Sequence, residues 1–151
     1  MAISPNTDFS AGAVLTSAQQ NRFPRGVMAF NTATASDTTI TSEEVQITGS
    51  SFTAVANRYY KITYFEPALF NSGTVTGTAR IRLTNLAGAV QQSSLSFAYT
   101  TYEETTCVAI TTLTAGATNF VATLQSSSGT IQATRSSTQY AFLLVEDIGP
   151  A

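Results

Sequence analysis

The stretch that decides the fold is RYYKITYFE, residues 58–66, in which side chains of different character alternate. A period of two places successive side chains on opposite faces of a β-strand. Tyrosine, isoleucine, threonine and phenylalanine also favour strands. The stretch is therefore predicted to form one long strand that stops at Pro67, because proline cannot donate a ladder hydrogen bond.

Further strand signals, separated by turns, lie on both sides of this stretch. The last of them, YAFLLVED at residues 140–147, is the most continuously apolar. Such a run predicts a central strand that is covered on both faces. About eight to ten short strands fit between residue 26 and the C-terminus. This spacing predicts an antiparallel β-sandwich, jelly-roll-like as the first choice and immunoglobulin-like as the second.

The composition favours strands as well. Charged residues make up only 11% of the 151 residues, against roughly 25% in an average soluble domain. Serine and threonine fill much of the gap, and β-branched threonine suits a half-exposed pleated surface. A chain of this length is sufficient for one domain. We predict a β-domain at residues 26–151 that is preceded by an arm at residues 1–25.

The residue types that most enzymes need are scarce. The chain has no histidine, which is the commonest general base and metal ligand. A single cysteine, Cys107, is too few for a zinc site built from thiolates. Cys107 lies in a stretch of alternating apolar residues and is therefore predicted to be a small buried hydrophobic residue. We expect no enzyme activity, no cofactor and no catalytic or metal-binding residues.

Three pairs of neighbouring carboxylates need a separate interpretation: Glu43-Glu44, Glu103-Glu104 and Glu146-Asp147. Neighbours on a strand point to opposite faces, so such a pair does not converge on one substrate. These acids are predicted to be solvated residues of turns or sheet edges. A loop site for Ca²⁺, built from carboxylates and carbonyls, is the alternative.

The charge pattern gives no reason to expect nucleic acid as a partner. The net charge is −2, Lys61 is the single lysine, and the six arginines are scattered along the chain. No signal peptide is visible, and no run approaches the roughly 18 apolar residues of a membrane helix. A soluble protein with neither nucleic-acid nor membrane partners is predicted.

The N-terminal arm lacks strand alternation but contains VLTSAQQN at residues 14–21, which predicts one or two helical turns. Thr16 or Ser17 would cap this helix at its N-terminus, and Asn21 would end it. So short a segment cannot stabilise itself. We therefore predict an arm that docks on another protein surface, with two arginines fixing it through charged hydrogen bonds. The predicted docking residues are Ile3, Phe9, Val14, Leu15, Arg22, Phe23 and Arg25.

Three blocks of the sequence resemble small virion structural proteins of tailed bacteriophages. They are VLTSAQQNRFPRGV at residues 14–27, FTAVANRYYKIT at residues 52–63 and FLLVEDIGP at residues 142–150. The blocks lie near the start, the middle and the end of the chain, whereas residues 66–138 match only in general β character. The resemblance implies a component of the phage particle, assembled in the host cytoplasm.

Within the particle, two roles are open. The sequence shows no shaft of repeats or heptads, which favours a capsid decoration or cement protein over a fibre. By the resemblance, such a protein binds the major capsid protein on the capsid exterior as a homotrimer and stabilises the shell. The alternative is a tail-associated tip that binds a host receptor or carbohydrate through Tyr99, Tyr102 and neighbouring loop residues.

Overall fold

A computed structural model describes residues 11–71, 73–98 and 100–151. These residues form an almost entirely antiparallel β structure with one short helix, α1, at Ser17–Gln20. The strands are β1 Gly26–Ala33, β2 Asp37–Ile40, β3 Glu44–Thr48, β4 Phe52–Ala54, β5 Arg58–Phe70, β6 Val75–Leu83, β7 Val90–Ala98, β8 Glu103–Thr112, β9 Gly116–Thr118, β10 Phe120–Ser126, β11 Ile131–Ala133 and β12 Ala141–Pro150.

Eight of these strands make two four-stranded layers. The first layer has the order β1-β12-β5-β8, and the second has the order β3-β10-β6-β7. β11 pairs with the last two residues of β5, beside the start of β12, and β2 pairs with β11. β4 pairs with β9 in a small separate sheet. Each four-stranded layer alternates strands from the two halves of the chain, which is the strand order of a jelly roll. The predicted antiparallel, jelly-roll-like sandwich is confirmed.

The core lies between the two layers. Tyr60, Ile62 and Tyr64 on β5 are fully buried, and Leu143 and Val145 of the neighbouring β12 are almost fully buried. The opposite layer contributes Ala79, Ile81, Phe120, Ala122 and Leu124. Each large apolar side chain that leaves water stabilises the fold by about 1.5–3 kcal/mol. This core holds both layers in register and positions the strand ends that carry the candidate site.

Two details of the predicted strands were wrong. β5 does not stop at Pro67 but continues to Phe70, because its register against β8 shifts between Glu66 and Leu69 and so accommodates a residue without an N–H. β12 is central in its layer, but its outer residues are only half-buried. The strand buried on both faces is β10, where Val121 and Thr123 are covered as well.

The short helix begins and ends as predicted. Thr16 is the N-cap, and its hydroxyl oxygen accepts from the Gln19 amide at 3.2 Å while the Gln19 side chain accepts from the Thr16 amide at 2.9 Å. This reciprocal capping box satisfies two amides that a free helix end leaves unpaired. Asn21 is the C-cap. Among the described residues, no helix is long and apolar enough to cross a membrane.

Candidate docking site at the root of the arm

The root of the arm is built around an ion pair between Arg58, the first residue of β5, and Asp147, near the end of β12. The Nε atom of Arg58 donates to Oδ2 of Asp147 at 2.5 Å, and Nη2 donates to Oδ1 at 2.7 Å. The two side chains are 5% and 0% exposed. A planar guanidinium that bonds both carboxylate oxygens is geometrically specific, and the hydrogen bonds of Asp147 raise the pKa of Arg58.

The same guanidinium binds the arm. Nη1 of Arg58 donates to the carbonyl oxygen of Asn21 at 2.6 Å, and Nη2 donates to that of Phe23, also at 2.6 Å. Carbonyls at the C-terminal end of a helix have no partner within the helix. Arg58 therefore satisfies backbone groups at the end of α1 and ties the arm to the domain.

The C-terminal residues complete this arrangement. The amide of Gly149 donates to Oδ1 of Asp147 at 3.0 Å, at a register shift in β12 where Gly149 has a φ of 123°. Such a backbone conformation favours glycine. The amide of Ala151 also donates to the carbonyl of Asn57 at 2.9 Å. The end of β12 is thus folded around the carboxylate that orients Arg58.

Three blocks of the sequence, residues 14–27, 52–63 and 142–150, meet at this place. Asn21 and Phe23 belong to the first block, Arg58 to the second and Asp147 to the third. Arg58 and Asp147 were not predicted as site residues, and the prediction of a solvated Asp147 was wrong. No local signal in the sequence marks this pair, because it forms only when β5 lies beside β12.

The predicted docking residues of the arm lie mostly in solvent. Val14 is 91% exposed, Leu15 40% and Phe23 39%, and Arg22 and Arg25 are exposed too. Ile3 and Phe9 lie outside the described residues. The charged hydrogen bonds described at the arm come from Arg58 on the domain side, a donor that the sequence did not predict.

A second buried ion pair lies at the other end of β5. Arg135 donates from Nη2 and Nε to the two carboxylate oxygens of Glu66 at 2.6 and 2.8 Å, and the Tyr64 hydroxyl donates to the same carboxylate at 2.8 Å. Arg135 also donates to Gln46 and to the carbonyl of Ala35. Burial raises the pKa of Tyr64 well above its ordinary value. These bonds join β5 to the segments around β2 and β3, which is a structural role.

Glu43 is the second carboxylate that the sequence placed wrongly in solvent. Its oxygens accept from Arg82 Nε and Nη2 at 2.6 and 2.7 Å and from the Thr123 hydroxyl at 2.7 Å, with Arg80 at 3.1 Å. The hydrogen bonds of Arg82 hold the pKa of Glu43 at about 2. Glu103 and Glu104 are exposed as predicted.

The described residues offer little reactive chemistry. Cys107 is buried as predicted, and burial raises the pKa of its thiol to about 11, so the thiol stays protonated near neutral pH. No group of three histidine, cysteine or acidic side chains is arranged for a metal ion in the part of the chain that the structure describes. Tyr102 is 63% exposed and its ring lies 5.3 Å from that of Phe70, whereas Tyr99 is outside the described residues.

No protein-family model matches the chain, and no curated protein matches it. The candidate site is therefore interpreted from its own residues and their geometry.

Proposed function

We propose that this protein is a structural component of a phage virion, a capsid decoration or cement protein that docks on the capsid exterior through its N-terminal arm. The observation that carries the proposal is the clamp of Arg58 on the arm: it holds the arm's root while Val14 and Leu15 remain exposed. An arm that served its own domain would bury these side chains against it.

The energetics support an arm of this kind. Burying a valine, leucine or phenylalanine side chain stabilises a contact by about 1.5–3 kcal/mol each. Fixing the root of the arm through Arg58 lowers the entropy that the arm loses on binding, which raises affinity without a new contact. The exposed Val14, Leu15 and Phe23 are thus suited to a groove between capsid subunits, with the major capsid protein as the partner.

A role without catalysis belongs to the proposal. The buried carboxylates of Asp147 and Glu66 and the partly buried carboxylate of Glu43 are each bound by an arginine, which suits structural bonds better than proton transfer to a substrate. Substituting the exposed Glu103 and Glu104 by glutamine is expected to leave every property of the particle unchanged. The homotrimer stays a prediction from the sequence resemblance.

The arm is tested by binding to capsids that lack this protein. Deleting residues 1–22 should leave a folded β-domain that no longer occupies capsids. The double variant Val14→Ser/Leu15→Ser keeps the carbonyls that Arg58 binds, and it should weaken occupancy at least tenfold. Leu86→Ser, at a 41% exposed turn residue of the domain, is the matched control. Unchanged occupancy after deletion of the arm would contradict the docking role.

The second candidate is a tail-associated protein that binds a host receptor or carbohydrate. Exposed Tyr102, whose ring is tilted by 40° against that of Phe70, favours it because aromatic faces with a polar tip suit such contacts. Imaging the assembled particle with the protein labelled distinguishes the two: label over the shell supports decoration, and label at the tail tip supports receptor binding.

A further inference from the structure

The first layer has an outer face that points away from the core and that we call the outer sheet face. Pairing registers arrange its central residues in three rows across β1, β12, β5 and β8. The rows are Val27, Glu146, Lys61 and Ile110; then Phe30, Leu144, Thr63 and Val108; then Thr32, Phe142, Phe65 and Thr106.

This face is apolar for a surface. Ile110 is 62% exposed, Val27 61% and Phe30 52%. The ring of Phe142 lies 5.9 Å from that of Phe30 and 5.3 Å from that of Phe65, so the aromatic residues form a continuous strip. Contiguous apolar patches of this kind mark interaction sites on otherwise soluble domains.

Within the three rows, the charged residues are one pair, and the exposed Glu104 lies at the edge of the face near Phe65 and Phe142. Lys61 and Glu146 are neighbours in the first row, with Nζ 3.3 Å from Oε2. At the centre of the face, the Thr63 hydroxyl oxygen is buried and has no hydrogen-bond partner among the described residues. A face with a neutralised pair and an otherwise uncharged centre matches the depletion of charge in the cores of subunit interfaces.

We propose that the outer sheet face is covered by a second copy of this chain, related by a two-fold axis that runs parallel to the strands between β12 and β5. Such an axis lays β12 of one copy over β5 of the other, and β1 over β8. Each row therefore faces the same row of the second copy, with the order of the strands reversed. The facing pairs across the axis are then Glu146 with Lys61, Leu144 with Thr63, Phe142 with Phe65, Val27 with Ile110, Phe30 with Val108 and Thr32 with Thr106.

Charge complementarity argues for a second copy as the occupant. In this arrangement Glu146 of each copy faces Lys61 of the other, so the charged pair acquires two new partners of opposite sign. Every other facing pair joins apolar or hydroxyl side chains. A self-complementary patch of this kind is what a two-fold interface requires.

The size of the face agrees with a stable pair. β8 and β12 have ten residues each, and at about 3.3 Å per residue they span about 33 Å. Four strands about 4.8 Å apart span about 19 Å, so each copy offers roughly 600 Å² of flat sheet. Two copies would bury about 1,200 Å², the lower end of the range for specific interfaces.

The inference goes beyond the proposed function and does not depend on it, since it is argued only from residues of β1, β12, β5 and β8. It also differs from the homotrimer that the sequence resemblance implies. Sedimentation equilibrium of the purified full chain distinguishes the two. A dimer is expected, and a monomer or a trimer across the micromolar range would overturn the inference.

Variants locate the interface. Ile110→Glu places an unpaired charge opposite Val27 and should weaken dimerisation at least about 100-fold. Leu95→Glu, at a 72% exposed residue of β7 in the other layer, should leave the dimer unchanged. Circular dichroism checks that both variants fold. Equal dimerisation of the two variants would overturn the assignment of this face.

Charge reversal tests the register. Lys61→Glu alone and Glu146→Lys alone should each weaken the dimer, because like charges then face each other across the axis. An equimolar mixture of the two variants restores opposite charges at both facing positions and should recover a mixed dimer. If the mixture associates no better than either variant alone, the two-fold arrangement is wrong.

Discussion

Arg58 and Asp147 are 89 residues apart in the chain and form a buried ion pair through two parallel hydrogen bonds. The arginine of this pair also holds the carbonyls of Asn21 and Phe23 at the root of the arm. One side chain therefore joins the first, middle and last parts of the sequence. Stability of the domain and placement of the arm depend on the same guanidinium.

These two roles are separable by substitution. Arg58→Met leaves the Asp147 carboxylate buried without its partner and should lower the free energy of unfolding by about 3–5 kcal/mol. The double variant Arg58→Met/Asp147→Leu removes that buried charge and should recover most of the loss. In both variants the arm loses the donors to Asn21 and Phe23, so hydrogen exchange at the amides of residues 19–23 should accelerate.

Urea denaturation measures the stabilities, and exchange mass spectrometry follows the arm. Glu103→Gln is the control, because this acid is exposed and its substitution should change stability by no more than about 0.5 kcal/mol. Slow exchange of the arm in the double variant would show that other contacts hold it, contrary to the role given to Arg58.

Tyr64→Phe removes a single hydroxyl and should destabilise the protein. That hydroxyl donates to the buried Glu66 carboxylate, which Arg135 also binds. Hydrogen bonds to charged groups contribute about 1.5–3 kcal/mol, so a loss of that size is expected in chemical denaturation. Tyr102→Phe removes a hydroxyl from a 63% exposed residue and should change stability by less than about 0.5 kcal/mol. Equal effects of the two variants would count against a role for the buried network.

The lowered pKa of Glu43 predicts part of the loss of folding stability at low pH. Arg82 holds the folded-state pKa of Glu43 at about 2, below its ordinary value of 4.5. Folding therefore favours the ionised form, and the stabilisation is complete above pH 4.5 and is lost as the pH falls toward 2.

Glu43→Gln should flatten that part of the pH profile, measured by urea denaturation between pH 2 and 7 in steps of about half a unit. Glu104→Gln, at an exposed acid, is the control and should leave the profile unchanged. A Glu43→Gln profile as steep as that of the wild type would assign the acid sensitivity to other carboxylates.

Cys107 should be unreactive in the native protein. Its thiol is buried in the core and has a pKa of about 11, so little thiolate forms at pH 8. Ellman's reagent at pH 8 is expected to modify the thiol only as fast as the protein unfolds, and to modify it fully in guanidinium chloride. Fast modification of native protein would mean that β8 opens far more often than its long pairing with β5 suggests.

Much of the architecture could be predicted because the pattern that encodes it is local. Alternation in residues 58–66 and the apolar run at 140–147 identify β5 and β12, and Thr16 and Asn21 mark the ends of α1. Short, partly exposed strands such as β2 and β3 carry no comparable pattern. The position of Pro67 inside β5 also escaped prediction, because a register shift depends on the neighbouring strand.

By itself, the sequence determined the class of fold and the helical turn of the arm. These properties follow from side-chain alternation, capping residues and composition, which act over a few residues or over the whole chain at once. Only the tertiary structure decided that Asp147 and Glu43 are bound by arginines and that Arg58 holds the arm. The reason is that an ion pair between distant residues needs specific strands to lie side by side, and that order is set by packing of the whole core.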